Sequence, residues 1–162
     1  MLIVDTREKP KAIRNILDYF RSNGIDYRMQ KLDYGDYMDT DRPQLVIDRK
    51  QTIAELAKNL GTKDRERFKR ELERVQAAGA RLVILVEQNR YKDRDEWVHI
   101  NDISDLMLWS SPYTMVTGER LFRILASWVV KYPLSIEFCD KRSTGRRIAE
   151  ILAETKTEAC KG

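Results

Sequence analysis

Residue types that together can hydrolyse phosphate esters stand close in this sequence. Asp36 follows Gly35, and after eleven intervening residues comes the run Asp48-Arg49-Lys50. Residues i and i+2 of a strand share a face, so on a strand Asp48 and Lys50 point one way and Arg49 the other. If Asp36 opens a neighbouring strand, two carboxylates and one ammonium converge on one edge of a sheet. Magnesium binds through one or two carboxylates and completes its shell with water and substrate phosphate oxygens. A bound Mg²⁺ or Mn²⁺ acidifies a water and neutralises charge on the phosphate. The lysine then orients that water, helps to deprotonate it, or steadies the transition state as a point charge. A plainer reading uses the same residues: Gly-Asp is a common turn, and Asp-Arg-Lys at a strand end is also a charged edge that discourages aggregation.

The elements that must position these groups alternate along the chain. Leu2 to Asp5 is a short β-type run, and Pro10 suits the first turn of a helix carrying Ile13, Ile16, Leu17 and Phe20, closed by Asn23-Gly24. Residues 25 to 33 alternate as a strand, Tyr34-Gly35 allows a tight turn, and Asp36 to Thr40 returns as a third strand. Asp41-Arg42-Pro43 breaks the chain before a buried strand from Gln44 to Lys50. Thr52 with Glu55 matches a capping box on a short helix that Gly61 closes. A longer helix to about Ala78 sets Phe68, Leu72 and Val75 on its core face. Leu82 to Val86 is the most apolar strand and ends at Glu87. Residues 88 to 101 read as a polar loop, and 102 to 109 as a short helix. Thr117 caps a helix with Leu121, Leu125, Trp128 and Val129. Leu134, Ile136 and Phe138 alternate as a last strand, and Thr144 opens a final basic helix. Interleaved strands and helices predict an α/β fold with a central mixed β-sheet flanked by helices. The expected organisation is one domain over 1–154 and a polar tail over 155–162.

Composition narrows the function. The chain has 162 residues, 35% of them charged and 42% apolar, with a formal net charge of +4, which suits a soluble protein compatible with a polyanionic partner. Its two cysteines, Cys139 and Cys160, and single histidine, His99, make no zinc-ligand set and no disulfide framework. No stretch is long and apolar enough for a membrane span, and the amino terminus enters a strand directly. A cytoplasmic protein with no zinc and no membrane partner is the expectation.

Four ordered motifs go further. Val4-Asp5-Thr6-Arg7-Glu8, Gly35-Asp36-Tyr37, Val46-Ile47-Asp48-Arg49-Lys50, and Arg67-Phe68 ahead of the strand ending at Glu87 resemble XPF-type nuclease domains of the PD-(D/E)xK superfamily, in the small stand-alone form of bacteria and their phages. The likeness spans residues 1 to about 90 and more loosely reaches 154. It implies a restriction-endonuclease-like core and a metal-dependent DNA endonuclease acting on branched or flapped DNA in repair, recombination or replication. By the family pattern Asp36 and Asp48 are metal ligands, Lys50 is the catalytic lysine and Arg49 the family arginine. Strand alternation turns that arginine toward a substrate phosphate or a structural partner. Asp5 and Glu8 resemble auxiliary acids near the metal, although Glu8 equally suits a salt bridge. The chain departs from the pattern twice. Asp48 stands where the family usually has glutamate, and Ala54 where it tends to have an acid. Glu55, one residue on, is rotated by about 100° on a helix and better suited to capping. A catalytically inactive DNA-binding scaffold is the alternative these departures leave.

Candidate DNA contacts are Arg7, Tyr37 and a stripe of Lys63, Arg67, Arg70 and Arg74, spaced four, three and four apart on one helix face. The stripe reads otherwise as a solvated face with Glu66 and Glu73 pairing to Arg70. Tyr34 and Tyr37 either stack on an unpaired base or serve as strand aromatics. Trp109 and Trp128 read as core. Lys141, Arg142, Arg146 and Arg147 read as a solvated basic surface. Family nucleases often dimerise and add a helix-hairpin-helix module. No such module is expected in the residues after 154, and the apolar 118–132 helix fits either core or a homodimer contact.

Overall fold

The two apolar runs behave as buried strands should. In the computed structural model, which describes residues 1–154, β4 (Arg42–Lys50) and β5 (Arg81–Val86) pair in parallel from Leu45 with Arg81 to Lys50 with Val86. Around them run β1 (Leu2–Val4), α1 (Arg14–Ser22), β2 (Tyr27–Met29), β3 (Tyr37–Asp39), α2 (Ile53–Gly61), α3 (Arg65–Ala77), β6 (Arg90–Asp93), β7 (Glu96–His99), α4 (Gly118–Lys131), β8 (Leu134–Phe138) and α5 (Thr144–Ala153). The main sheet has the order β2-β1-β3-β4-β5-β8. β3 is antiparallel to both neighbours and the other pairs are parallel, so the sheet is mixed, as expected. The polar tail over 155–162, with Cys160, lies outside the described residues.

Strand alternation divides the core in two. Val46, Ile84 and Val86 face α2, α3 and α4, where Leu56, Leu72, Leu125 and Trp128 complete one cluster. Ile47, Val83 and Leu85 face α1 and α5 and meet Ile16, Phe20, Ile148 and Ile151. Leu121, Ile124, Leu125 and Trp128 of α4 are therefore spent on its own core, with Trp128 stacked on Phe68 at 6.1 Å between ring centroids, while Val130 of the same helix stays exposed. Thr117 caps α4 through the Arg120 N–H, and Thr52 caps α2 through the Glu55 N–H. Among the described residues no helix is long and apolar enough to cross a membrane.

Four local expectations change. β2 and β3 do not form a hairpin: β1 lies between them, parallel to β2 and antiparallel to β3. The first helix starts at Arg14, because the residues after Pro10 are spent on turns. Pro43 lies inside β4, at an exposed outer end where its missing N–H does no harm. Residues 88 to 101, read as a loop, hold the antiparallel hairpin β6–β7, with Lys92 across from Trp97 and Arg90 across from His99. Its turn uses Arg94 at φ 56° rather than glycine or asparagine, so it carries no sequence signature.

Candidate active site

The site begins with a backbone constraint. Gly35 has φ +70°, and a Cβ there would stand 2.2 Å from Val46 Cγ1 and 3.1 Å from the Ile47 carbonyl. Only glycine lets the turn lie this close to β4. The Asp36 N–H donates to the Ile47 carbonyl at 2.7 Å, and β3 then pairs Tyr37 with Ile47. Continuing that register back by one residue sets Asp36 across from Asp48. The Arg49 N–H donates to Asp36 Oδ2 at 2.8 Å, which fixes the carboxylate at the sheet edge.

Asp48 and Lys50 share the face predicted by alternation, with Lys50 Nζ 3.1 Å from Asp48 Oδ1. Lys50 also lies over the Phe68 ring at 5.4 Å. Together with Asp36 they line an open cleft of about 650 Å³ whose other walls include Arg7, Gln51, Glu55, Arg67, Glu71 and Arg74. Burial raises the Asp36 pKa well above the usual carboxylate range, and the charges of Asp48 and Glu8 add to it. Burial also raises that of Glu71, with Asp48 again adding, although the Gly35 N–H donates to Glu71 Oε1 at 2.9 Å. For Lys50, burial works against the ammonium, but Asp48, Asp36 and Glu55 outweigh it and the net shift is upward. Asp36 and Glu71 are thus acids that ionise only at a cost.

Arg49 occupies the opposite face. Its guanidinium donates to both oxygens of Glu8 at 2.7 and 2.8 Å and to Glu87 at 2.5 Å, and its side chain is buried. Of the two partners left open for Arg49, a phosphate or a structural group, the guanidinium here takes structural ones, Glu8 and Glu87, while its backbone N–H holds Asp36. Glu8, grouped with the metal ligands, is held by that same arginine and by the Tyr37 hydroxyl at 3.0 Å. Tyr37 is fully buried, so the expectation that it contacts DNA is corrected. Asp5 is fully buried too and accepts four hydrogen bonds, three from Arg7 and one from the Leu32 N–H. Burial opposes its ionisation, yet these donors hold its pKa below the usual range. No oxygen of Asp5 is left over for a metal.

Arg7, tied to Asp5 but 59% exposed, keeps an open side on the cleft. Of the basic stripe, Arg67 and Arg74 line the cleft. Arg70 is exposed outside it, and Lys63 precedes α3 rather than belonging to it. Among the described residues none of the four makes an ion pair, so the alternative pairing with Glu66 and Glu73 does not form. In the basic cluster around α5, by contrast, Arg142, Arg146 and Arg147 are all paired with carboxylates.

Sequence reasoning missed Glu71, Glu55 and Glu87 as parts of the site. Glu71 lies four residues after Arg67 and three before Arg74, on the same helical face, which was the available signal. Glu55 accepts from the Gln51 N–H at 2.7 Å rather than closing the capping box, and its carboxylate borders the cleft. Glu87 became visible only once Arg49 was placed.

Among the described residues no three His, Cys, Asp or Glu side chains stand close enough to enclose a metal ion. Two carboxylates with water suffice for magnesium. The carboxylate oxygens of Asp36 and Asp48, on one edge of the sheet, are donors of the kind a hard divalent cation takes.

The family model for the ERCC4 domain matches residues 4–150. The chain belongs to the ERCC4 domain family. Two solved structures similar to it are XPF from Aeropyrum pernix and the same protein in complex with DNA. Each has 20% identity and a TM-score of 0.64 over 93% of this chain and 62% of that one. This ERCC4 domain therefore has the fold of an XPF-type nuclease domain, and it spans 62% of the length of those relatives. No curated protein matches it in sequence.

Proposed function

We propose that this ERCC4 domain is a DNA endonuclease that hydrolyses phosphodiester bonds at branched or flapped DNA with Mg²⁺ or Mn²⁺. One observation carries the reading: Asp36, Asp48 and Lys50 meet in a single cleft whose rim bears Arg67 and Arg74, neither of them ion-paired among the described residues. The family assignment supports it, and the likeness to a relative solved with DNA supports the polymer.

Asp36 and Asp48 would hold the cation. Bound there, it would supply Lewis acidity and a more acidic water. The chain's own residues do the rest. Lys50, kept as an ammonium by its acidic neighbours in the metal-free protein, offers positive charge where a phosphate oxygen gains negative charge. Arg67, Arg74 and the open side of Arg7 hold flanking phosphates and fix the register of the strand. Glu71 holds the Gly35 N–H and so keeps the turn that presents Asp36.

The scaffold alternative rests on Ala54, which removes one acid from the family pattern. Cleavage of labelled flap, four-way junction, duplex and single-stranded DNA with each metal, for the wild type and Asp36→Asn, separates the two. Cleavage of branched DNA that disappears in the variant is the expected result. Binding without cleavage by the wild type under both metals would replace the enzyme with a scaffold.

A further inference from the structure

The hairpin β6–β7 leaves the end of β5 beside the cleft. The Glu87 N–H donates to the Lys50 carbonyl at 2.8 Å, and Gln88 ties the base of the hairpin to α2 by accepting the Ile53 N–H at 2.9 Å. Tyr91 turns inward, while Arg90, Lys92, Trp97 and His99 are exposed on the other face. Trp97 is 53% exposed, with the Arg90 guanidinium 4.4 Å and the Lys92 ammonium 5.7 Å from its ring centroid. Neither cation makes an ion pair among the described residues. The acids Asp93, Asp95 and Glu96 gather at the turn, so positive charge is in excess only on the strip nearer the sheet.

We infer that this strip is a docking surface for an unpaired DNA strand, with a base stacked on Trp97 and its phosphates held by Arg90 and Lys92. A half-exposed indole with two cations held over its ring suits a single strand, because bases inside a duplex have no free π-face and backbone charge alone needs no aromatic. The inference rests on the reading of the cleft as a DNA site. It adds what that reading lacks, a feature able to distinguish a flap from plain duplex.

Binding in EDTA tests it without any cleavage step. Trp109 and Trp128 are buried, so quenching of tryptophan emission by a short oligothymidylate reports on Trp97. The wild type should be quenched and should bind a tailed duplex more tightly than a blunt one. Trp97→Ala should lose both properties, with the tailed duplex weakened about tenfold, the scale of one base–aromatic stack. Trp97→Phe should recover most of the tail preference, which mere loss of hairpin structure would not predict of the stacking position alone. Arg90→Gln should lower the salt dependence of tail binding, by about 0.7 in the log–log slope for one single-strand phosphate. Unquenched wild-type emission, or equal tail affinity in Trp97→Ala, would overturn the inference, as would equal weakening of tailed and blunt duplex. A wild type that shows tail binding and never cleaves would sink the nuclease reading and leave this surface standing.

Discussion

Asp48, Arg49 and Lys50 are consecutive, yet their side chains enter two environments built on opposite electrostatic terms. On the α1–α5 face, the Arg49 cation meets Glu8 and Glu87, and hydrogen bonds engage every buried carboxylate oxygen there except Glu87 Oε2. On the α2–α3 face, the Lys50 ammonium stands among Asp36, Asp48 and Glu71, and burial with mutual repulsion makes Asp36 and Glu71 harder to ionise. One face neutralises its charges and so holds the strand ends together. The other buries acids that ionise only at a cost, which suits a cation, while Arg67 and Arg74 on the rim offer positive charge to a phosphate. A single strand thus keeps structure and chemistry apart by its two-residue period, and variants should separate along the same line.

The largest effect should come from the neutralised face. Arg49→Ala strands two carboxylates in low dielectric and should cost about 3–5 kcal/mol, lowering Tm by about 10 °C for a chain of this size. Burial already raises the Glu87 pKa despite Arg49 beside it, and without the arginine it should rise further. A raised carboxylate pKa means the folded state holds its proton longer, so stability falls as pH rises through that range. Thermal unfolding at acidic and alkaline pH should therefore show the smaller defect in acid. Equal losses at both would place the defect in packing instead of charge.

The cleft face should respond with the opposite sign. Because Asp36 ionises only at cost, its contribution to stability is full below the unfolded carboxylate pKa of about 3.8 and is lost as pH rises through its raised folded value. Asp36→Asn removes that loss and still offers an oxygen to the Arg49 N–H. In metal-free buffer at neutral pH it should raise Tm by about 2–4 °C while abolishing cleavage. Added Mn²⁺ should stabilise the wild type by mass action and leave the variant unmoved. A variant less stable than wild type at neutral pH would show that the two faces are not opposed.

Much of this arrangement was readable from residue order, and the exceptions have physical causes. Gly35-Asp36 and Asp48-x-Lys50 are local patterns, and strand alternation placed Asp48 and Lys50 correctly once the strand was recognised. Arg49 was left between a phosphate and a structural partner, because its two acids come from sites 41 and 38 residues away, Glu8 and Glu87. Separation of that size leaves no periodic trace. Tyr37 looked available to a base beside an active-site turn, but alternation from Asp36 sends it into the core, a step the sequence permitted. The β6–β7 hairpin was hidden by polar composition: only Tyr91 and Val98 turn inward, and two apolar residues are too few to show a period of two.

The smallest effects should appear on α3, where the same contrast recurs between the side of the helix that faces the cleft and the side that does not. Arg67 and Arg74 line the cleft with Asp36, Asp48 and Glu71, whereas Arg70 is exposed away from it. A phosphate contact on duplex DNA contributes about 0.9 to the slope of log affinity against log salt. Arg67→Gln and Arg74→Gln should each lower that slope by about one contact, with stability unchanged because neither is ion-paired among the described residues. Arg70→Gln should leave the slope where it was. If all three substitutions lower it equally, the duplex tracks the whole exposed flank of α3, and the cleft does not set the path of the backbone. If only Arg67 and Arg74 matter, the phosphates follow the cleft rim, where these two arginines stand across from the acids and hold the backbone beside Asp36 and Asp48.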